Sequence, residues 1–395
     1  MRDEDGTTPV ESSSFHPSSL IPHPLKVLHI SSARALGGGE RHLADLANAL
    51  TMRGHDVHVA VAPRSPLREA LAALPARNII TLPLRNALDV PSAHELSRLV
   101  RRLDIEIVHA HMGRDYPLAS YATRRAARAR LVITRHVLFP LNRLHSWTLS
   151  HVARVIAVSD AVARTLQSQR LFPADKISVI PNGIDVRRFD KAACRFDPAA
   201  FRRSLRVAPD RLLVGTIGEI NRLKGHEEFL RAASLLMERF PTADFVIAGE
   251  DFSRTGEHRA RILKLVWELG LETRVHLTGW LDDVAPLLSA LDLFVSASHT
   301  ESFGLAIVEA QASGVPVIAT ATEGASEILS DGETGLLVPV GDTEQLAGAI
   351  ARLLEDTQER ERLGERGRAR AFERFSLEHM VEATEHIYRE VIAAR

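Results

Sequence analysis

Glu301 and Glu309 lie eight positions apart in the stretch His299–Pro316, His-Thr-Glu-Ser-Phe-Gly-Leu-Ala-Ile-Val-Glu-Ala-Gln-Ala-Ser-Gly-Val-Pro. The first precedes Ser302-Phe303-Gly304, a loop leading into a helix, and the second falls on that helix. Eight residues at helical rise is about 12 Å, so the two carboxylates can grip opposite ends of a long polar ligand. The amides of Ser302, Phe303, Gly304 and Leu305 are unpaired donors at such a helix start, suited to a phosphate or to polarised hydroxyls. An acidic loop before an ordinary amphipathic helix has the same spacing, so other residues must decide.

Arg222 and Lys224 fall in Gly218-Glu219-Ile220-Asn221-Arg222-Leu223-Lys224-Gly225, after a strand and at a helix start. Surface charge is the plain explanation. Two cations beside free amides also suit a pyrophosphate, which Arg engages bidentately and Lys as a point charge. Gly37-Gly38-Gly39-Glu40 opens an earlier helix and permits close backbone approach to a phosphate. It is not Gly-x-Gly-x-x-Gly, and the strand Val57–Ala62 ends without an acidic residue for a ribose, which disfavours a nicotinamide or flavin. His109, His111 and His136 follow two strands and mark a polar cleft. His109 and His111 are expected to point to opposite sides. Apart from Asp3-Glu4-Asp5 near the N-terminus no Asp-x-Asp occurs, so substrate contacts are favoured over a metal. Neither Gly-x-Ser-x-Gly nor a Walker loop is present.

The elements that must position these residues follow from the pattern of apolar runs. The chain has 395 residues, enough for two or three domains, with 45% hydrophobic and 25% charged residues. A net charge of −1 gives no global field for nucleic acid or membrane, and the single cysteine, Cys194, excludes an internal disulfide framework. Met1–Pro24 has neither a basic n-region nor an apolar h-region and is expected to be a disordered leader. A reducing, cytoplasmic location fits this composition. Short apolar runs alternating with helical patterns predict an α/β fold with parallel strands. In residues 25–185 they fall at Lys26–Ile30, Asp56–Val61, Ile79–Leu82, Ile105–Val108, Leu131–Thr134, Val155–Val158 and Ile177–Ile180. Residues 186–211 read as a charged, irregular linker. The pattern restarts over 212–370, at Leu212–Ile217, Phe245–Ala248, Val275–Leu277, Leu293–Val295, Val315–Ile318 and Leu336–Val338, with a helix over His226–Arg239. Residues 371–395 carry an amphipathic helix, Leu377–Ala394. Two doubly wound domains place the carboxyl ends of both sheets at a shared cleft, where ligands bind. Arg124, Arg125, Arg128, Arg130, Arg135, Arg143 and Arg154 crowd part of the first domain. They read as a solvated face, with an anionic membrane or acceptor as the alternative.

The chain resembles the retaining glycosyltransferases of family 4, the glycogen synthase-like group with the GT-B fold. The resemblance runs from Leu25 onwards. It rests on Gly37-Gly38-Gly39-Glu40, Val155-Ile156-Ala157-Val158-Ser159, Val179-Ile180-Pro181-Asn182-Gly183-Ile184-Asp185, Lys224-Gly225, Gly279-Trp280, Glu301 to Glu309, and Gly314-Val315-Pro316-Val317-Ile318. It implies two Rossmann-like domains facing a central cleft, with the C-terminal helix crossing back to the first. It implies a sugar moved with retention from a nucleotide-sugar donor to a hydroxyl of a glycan, lipid or small-molecule acceptor. No metal and no cofactor are implied, since the nucleotide-sugar is a substrate. Glu301 then matches the carboxylate at the donor sugar, Phe303 and Gly304 the backbone donors beside it, and Glu309 the acceptor of ribose hydrogen bonds. Lys224 matches the cation at the diphosphate, Gly39 an amide near the phosphate, His136 an acceptor-side histidine, and Trp280 and Leu281 the base pocket. The family often has Arg after the glycine at Gly218, where this chain has Glu219, and Arg222 is expected to supply that charge. A non-catalytic sugar-nucleotide or glycan binder, or a sugar-nucleotide epimerase, is the alternative on the same fold.

Overall fold

The computed structural model describes residues 23–142, 145–189 and 196–394. Most of the expected leader, Arg143 and Cys194 therefore lie outside the described residues. In the first domain the strands are β1 (Lys26–Ser31), β2 (Asp56–Val61), β3 (Ile79–Thr81), β4 (Ile107–Ala110), β5 (Arg130–Arg135), β6 (Arg154–Ala157) and β7 (Ile177–Val179). They form one sheet in the order β3-β2-β1-β4-β5-β6-β7. The second holds β8 (Leu212–Ile217), β9 (Ala243–Ala248), β10 (Val275–Gly279), β11 (Leu293–Ser296), β12 (Val317–Thr320) and β13 (Leu336–Val338), ordered β10-β9-β8-β11-β12-β13. All the pairings are parallel. Both sheets reverse direction at their first strand, β1 and β8, the switch point where ligands bind in open α/β sheets. Sequence runs such as Ala-Asp-Phe-Val-Ile-Ala in β9 are buried throughout, because helices cover both faces.

Two expected strands lie further along the chain. Ile105 donates its amide to Val100 and closes the helix Val90–Arg102, so pairing with β1 starts at Ile107. Val315 likewise bonds to the carbonyl of Ala310, and β12 starts at Val317. In both places an apolar helix-closing residue has the composition of a strand. The helix after Lys224 ends at Leu236 rather than Arg239. The linker is not wholly irregular: Pro198–Ser204 is helical, with Asp197 capping it through the Ala199 amide at 2.9 Å. Arg202 of that helix pairs with Asp292 at 2.6 Å, which docks it on the second domain.

The chain crosses between domains twice, and the crossings touch. Ile184 donates to Phe375 at 3.0 Å and accepts from Leu377 at 2.8 Å. The helix Thr357–Arg374 ends there, and Ser376 caps the final helix, Leu377–Ala393. That helix returns to the first domain, where Met380, Val381, Tyr388 and Val391 join Val27, Leu43, Leu46 and Leu50 in one core. Arg53 pairs with Glu382 and Glu385 over this seam. The architecture is GT-B. The domains also meet at the cleft: Ser159 donates to the Ser302 carbonyl at 2.6 Å, and Glu327 accepts from the Asp160 and Ala161 amides at 2.8 and 2.7 Å.

Candidate active site

Lys224 ends a 3-10 turn, Arg222–Lys224, that Asn221 caps through the Leu223 amide at 2.9 Å. Its Nζ donates to Glu301 Oε2 at 2.6 Å, and Ser298 Oγ lies 3.5 Å from the same oxygen. Both charged side chains are partly buried, which strengthens their attraction over that of an exposed pair. The turn after Glu301 reaches the helix Leu305–Ala312 through Gly304, whose φ of +116° is strained for any residue with a Cβ. The amides of Ser302, Phe303, Gly304 and Leu305 have no acceptor among the described residues. The Phe303 ring is buried against Phe375, with centroids 5.6 Å apart, so its backbone is what serves the site.

The helix is not amphipathic. Ile307, Val308, Ala310 and Ala312 are buried, and so are Glu309 and Gln311. A carboxylate inside such a helix calls for a partner. Burial pushes Glu309 up to about 7, while Arg41 and Arg188 pull the other way. Arg41, from the first domain, brings Nη1 to 3.8 Å of Glu309 Oε1. The same guanidinium lies 5.7 Å from the ring centroid of Trp280, which follows β10, packs edge-on to Phe252 at 5.6 Å and donates Nε1 to Asp282 at 3.1 Å. Leu281 lies half-buried beside it. Asp45, one turn beyond Arg41, is raised to about 6 by burial, against the pull of Arg188 and Arg41.

The opposite wall is the start of the helix Gly38–Met52. A Cβ on Gly38 would come within 3.1 Å of Leu305 of the second domain, and one on Gly39 within 3.4 Å of the His136 ring. These glycines let the two helix starts approach across the cleft. The expectation that His109 and His111 diverge is wrong: their ring centroids are 4.1 Å apart. Residues two apart in a strand share a face, and His111 follows the last residue of β4. They belong to a cluster of five histidines. His29 Nδ1 lies 3.1 Å from His111 Nε2, and His111 Nδ1 lies 3.4 Å from His136 Nε2. His42 packs edge-on to His136 with centroids 4.8 Å apart, and hydrogen-bonds Asn182. His109 shares hydrogen bonds with Tyr388 of the returning helix at 2.5 Å and with Thr134 at 2.7 Å. Burial holds all five well below the ordinary histidine value, His29 at about 3 and His42 at about 4.

A glycine-rich helix start, a Lys–Glu pair and a buried carboxylate therefore converge on one cleft at the switch points of two sheets. Solved glycosyltransferases share this fold. The family model "Glycosyltransferase Family 4" matches residues 36–188, and "Glycosyl transferases group 1" matches 198–370. The D-inositol 3-phosphate glycosyltransferase of Nocardia farcinica is 30% identical over 372 residues, covering 85% of this chain and 81% of its own. The chain belongs to glycosyltransferase family 4. The lipopolysaccharide core biosynthesis glycosyltransferase LpsE of Rhizobium meliloti is 28% identical over 379 residues, 94% of this chain and all of its own. The solved structure of Anabaena Alr3699/HepE in complex with UDP-glucose has the same fold, with a TM-score of 0.80 at 23% identity, covering 94% of this chain and 100% of that one.

Arg222 departs from its expected place in this glycosyltransferase. It is exposed and borders a polar cavity of about 400 Å³ with Glu227, His258, Arg261 and His299, whose lining includes neither Lys224 nor Glu301. Arg41, Asp45, His29 and His42 are site residues that sequence reading passed over. His42 and Asp45 follow Gly39 within two helical turns, a signal that was available. The basic region mostly satisfies itself: Arg124 donates to Ser150 at 2.8 Å, Arg125 lies over Tyr121, Arg128 reaches Asp104 and Arg154 reaches Glu390. Among the described residues, no helix is long and apolar enough to cross a membrane.

Proposed function

We propose that this glycosyltransferase moves a sugar, with retention of configuration and without a metal, from a nucleotide-sugar donor to a hydroxyl of an acceptor held by the first domain. The 2.6 Å contact between Lys224 and Glu301 carries the reading. It brings to one point a cation for the departing diphosphate and a carboxylate for sugar hydroxyls. The donor then lies along the helix Leu305–Ala312, with its sugar at Glu301 and the Ser302, Phe303 and Gly304 amides. Its ribose lies at Glu309, its base at Trp280 and Leu281, and its diphosphate between Lys224 and the Gly38 and Gly39 backbone. Lys224 offsets charge as the diphosphate leaves, and that leaving group accepts the acceptor's proton. His136 is held neutral at physiological pH, so it orients a hydroxyl by hydrogen bonding without adding charge. The UDP-glucose named for the Anabaena structure makes UDP-sugars the first donors to test.

Thermal shift with UDP-, GDP- and ADP-sugars, followed by mass analysis of donor turnover, tests the function. The reading is sunk if no nucleotide or nucleotide-sugar stabilises the protein or is consumed. The two carboxylates should separate: Glu301→Ala mainly lowers turnover, and Glu309→Ala mainly weakens nucleotide binding. Equal loss of donor affinity with turnover intact in both would reverse the assigned orientation. Because Glu309 ionises near pH 7, nucleoside diphosphate affinity should rise about tenfold from pH 6 to pH 8. Calorimetric titration should find this slope in the wild type and a clearly shallower one in Glu309→Gln, where only the ligand's own phosphate titrates.

A further inference from the structure

We propose that Arg41 turns from Glu309 to the donor diphosphate on binding and is the cation that the first domain brings across the cleft to it. This rests on the donor placement above. The donor loop of the second domain is poor in available positive charge. Lys224 shares its charge between the diphosphate and Glu301, Arg222 borders the neighbouring cavity, and Glu219 adds an exposed carboxylate just after β8. On the first domain, Arg114 is held by Ser32 through Nε at 2.6 Å and Nη2 at 3.0 Å. Arg41 is placed differently. It stands in the first turn of the helix Gly38–Met52, beside the glycines that approach Leu305, and its guanidinium reaches over the cleft to Trp280 and Glu309.

Those two contacts coincide with the base and ribose positions. On that placement, the ribose and base take the positions beside Glu309 and Trp280 that the Arg41 guanidinium now holds. When ribose hydroxyls donate to Glu309, they replace the guanidinium there and free it. The freed side chain stays tethered beside the amides of the Gly38–Met52 helix start, where an anion is favoured. A planar guanidinium matches two phosphate oxygens at once. Arg41 thereby holds the buried Glu309 charge while the cleft is empty and meets the donor's charge when it is full.

The test compares each nucleoside diphosphate with its nucleoside: UDP with uridine, GDP with guanosine, ADP with adenosine. Calorimetric titration is run on the wild type, Arg41→Gln and Arg41→Lys. For the pair that binds the wild type, Arg41→Gln should weaken the diphosphate about 10- to 100-fold and leave the nucleoside unchanged or tighter. Arg41→Lys should recover part of the diphosphate loss. Unchanged or tighter diphosphate binding in Arg41→Gln would make Arg41 a placeholder only and overturn the proposal. Equal weakening of diphosphate and nucleoside would also overturn it, because packing on Trp280 would then explain the loss. Failure of the wild type to bind any of the six compounds would count against the donor reading itself, a distinct result.

Discussion

Replacing Lys224 by Ala should lower the rate of sugar transfer about 10²- to 10³-fold, the usual cost of removing one preorganised charge from a transition state. The reasoning is local. Lys224 Nζ already sits 2.6 Å from the carboxylate assigned to the sugar, so it needs little rearrangement to meet a leaving phosphate beside that sugar. Charge grows on the diphosphate as the glycosidic bond breaks, so the interaction is stronger in the transition state than in the bound donor. The loss should therefore fall on kcat more than on KM. Lys224→Arg should keep a cation but misplace it, with an intermediate rate. Donor turnover by mass analysis, with circular dichroism to check folding, measures all three proteins. A folded Lys224→Ala enzyme within fivefold of wild type would remove Lys224 from the chemistry.

The second large effect is on stability in acid. His29, His42, His109, His111 and His136 are held neutral when folded, because burial opposes their protonation and, for all but His42, neighbouring histidines oppose it further. Unfolded, each titrates near pH 6.5. Their folded values are depressed, so the stability they confer is full above pH 6.5 and is lost as pH falls below it. At pH 5.5 each unfolded histidine gains about 1.4 kcal/mol by protonation, so the five together remove about 7 kcal/mol. The raised carboxyls of Glu309 and Asp45 work in the opposite direction and return about 2–3 kcal/mol over the same range. The net loss from these seven groups, about 4–5 kcal/mol, approaches the lower end of the stability of an ordinary domain. Urea midpoints should be nearly level from pH 8 to 7 and fall steeply from pH 6.5 to 5.5. His29→Leu should flatten part of that fall. Equal midpoints at pH 8 and pH 5.5 would show that the cluster accepts protons while folded.

Both domains are legible in the sequence because parallel strands buried on two faces leave continuous apolar runs, such as Leu-Leu-Val-Gly-Thr-Ile in β8. The errors share a cause. Ile105 and Val315 are apolar because they close helices, and composition alone does not separate that duty from pairing in a sheet. The helix at Pro198 was signalled by Asp197-Pro198 but is short and rich in arginine. Within the site, Glu301, Glu309 and Lys224 stand out through their spacing and resemblance to the family. Of the histidine cluster, His109, His111 and His136 stand out after their strands, but His29 and His42 do not. His29, His109 and His136 lie on or just after β1, β4 and β5, which the strand order sets side by side, and His42 reaches them from the helix Gly38–Met52. Arg41 is harder still, since its partners Trp280 and Glu309 belong to the other domain and are more than two hundred residues away.

The returning helix also sets a timetable for synthesis. Met380, Val381, Tyr388 and Val391 complete a core whose other members are mostly made before Ile180. Translation at roughly 5–20 residues per second separates β7 from Leu377 by about 10–40 s. For that interval the nascent first domain carries an open apolar seam along the helix Gly38–Met52, and His109 has no tyrosine to meet. Chaperone binding to the nascent chain should concentrate on that seam and end once the returning helix has left the ribosome and docked.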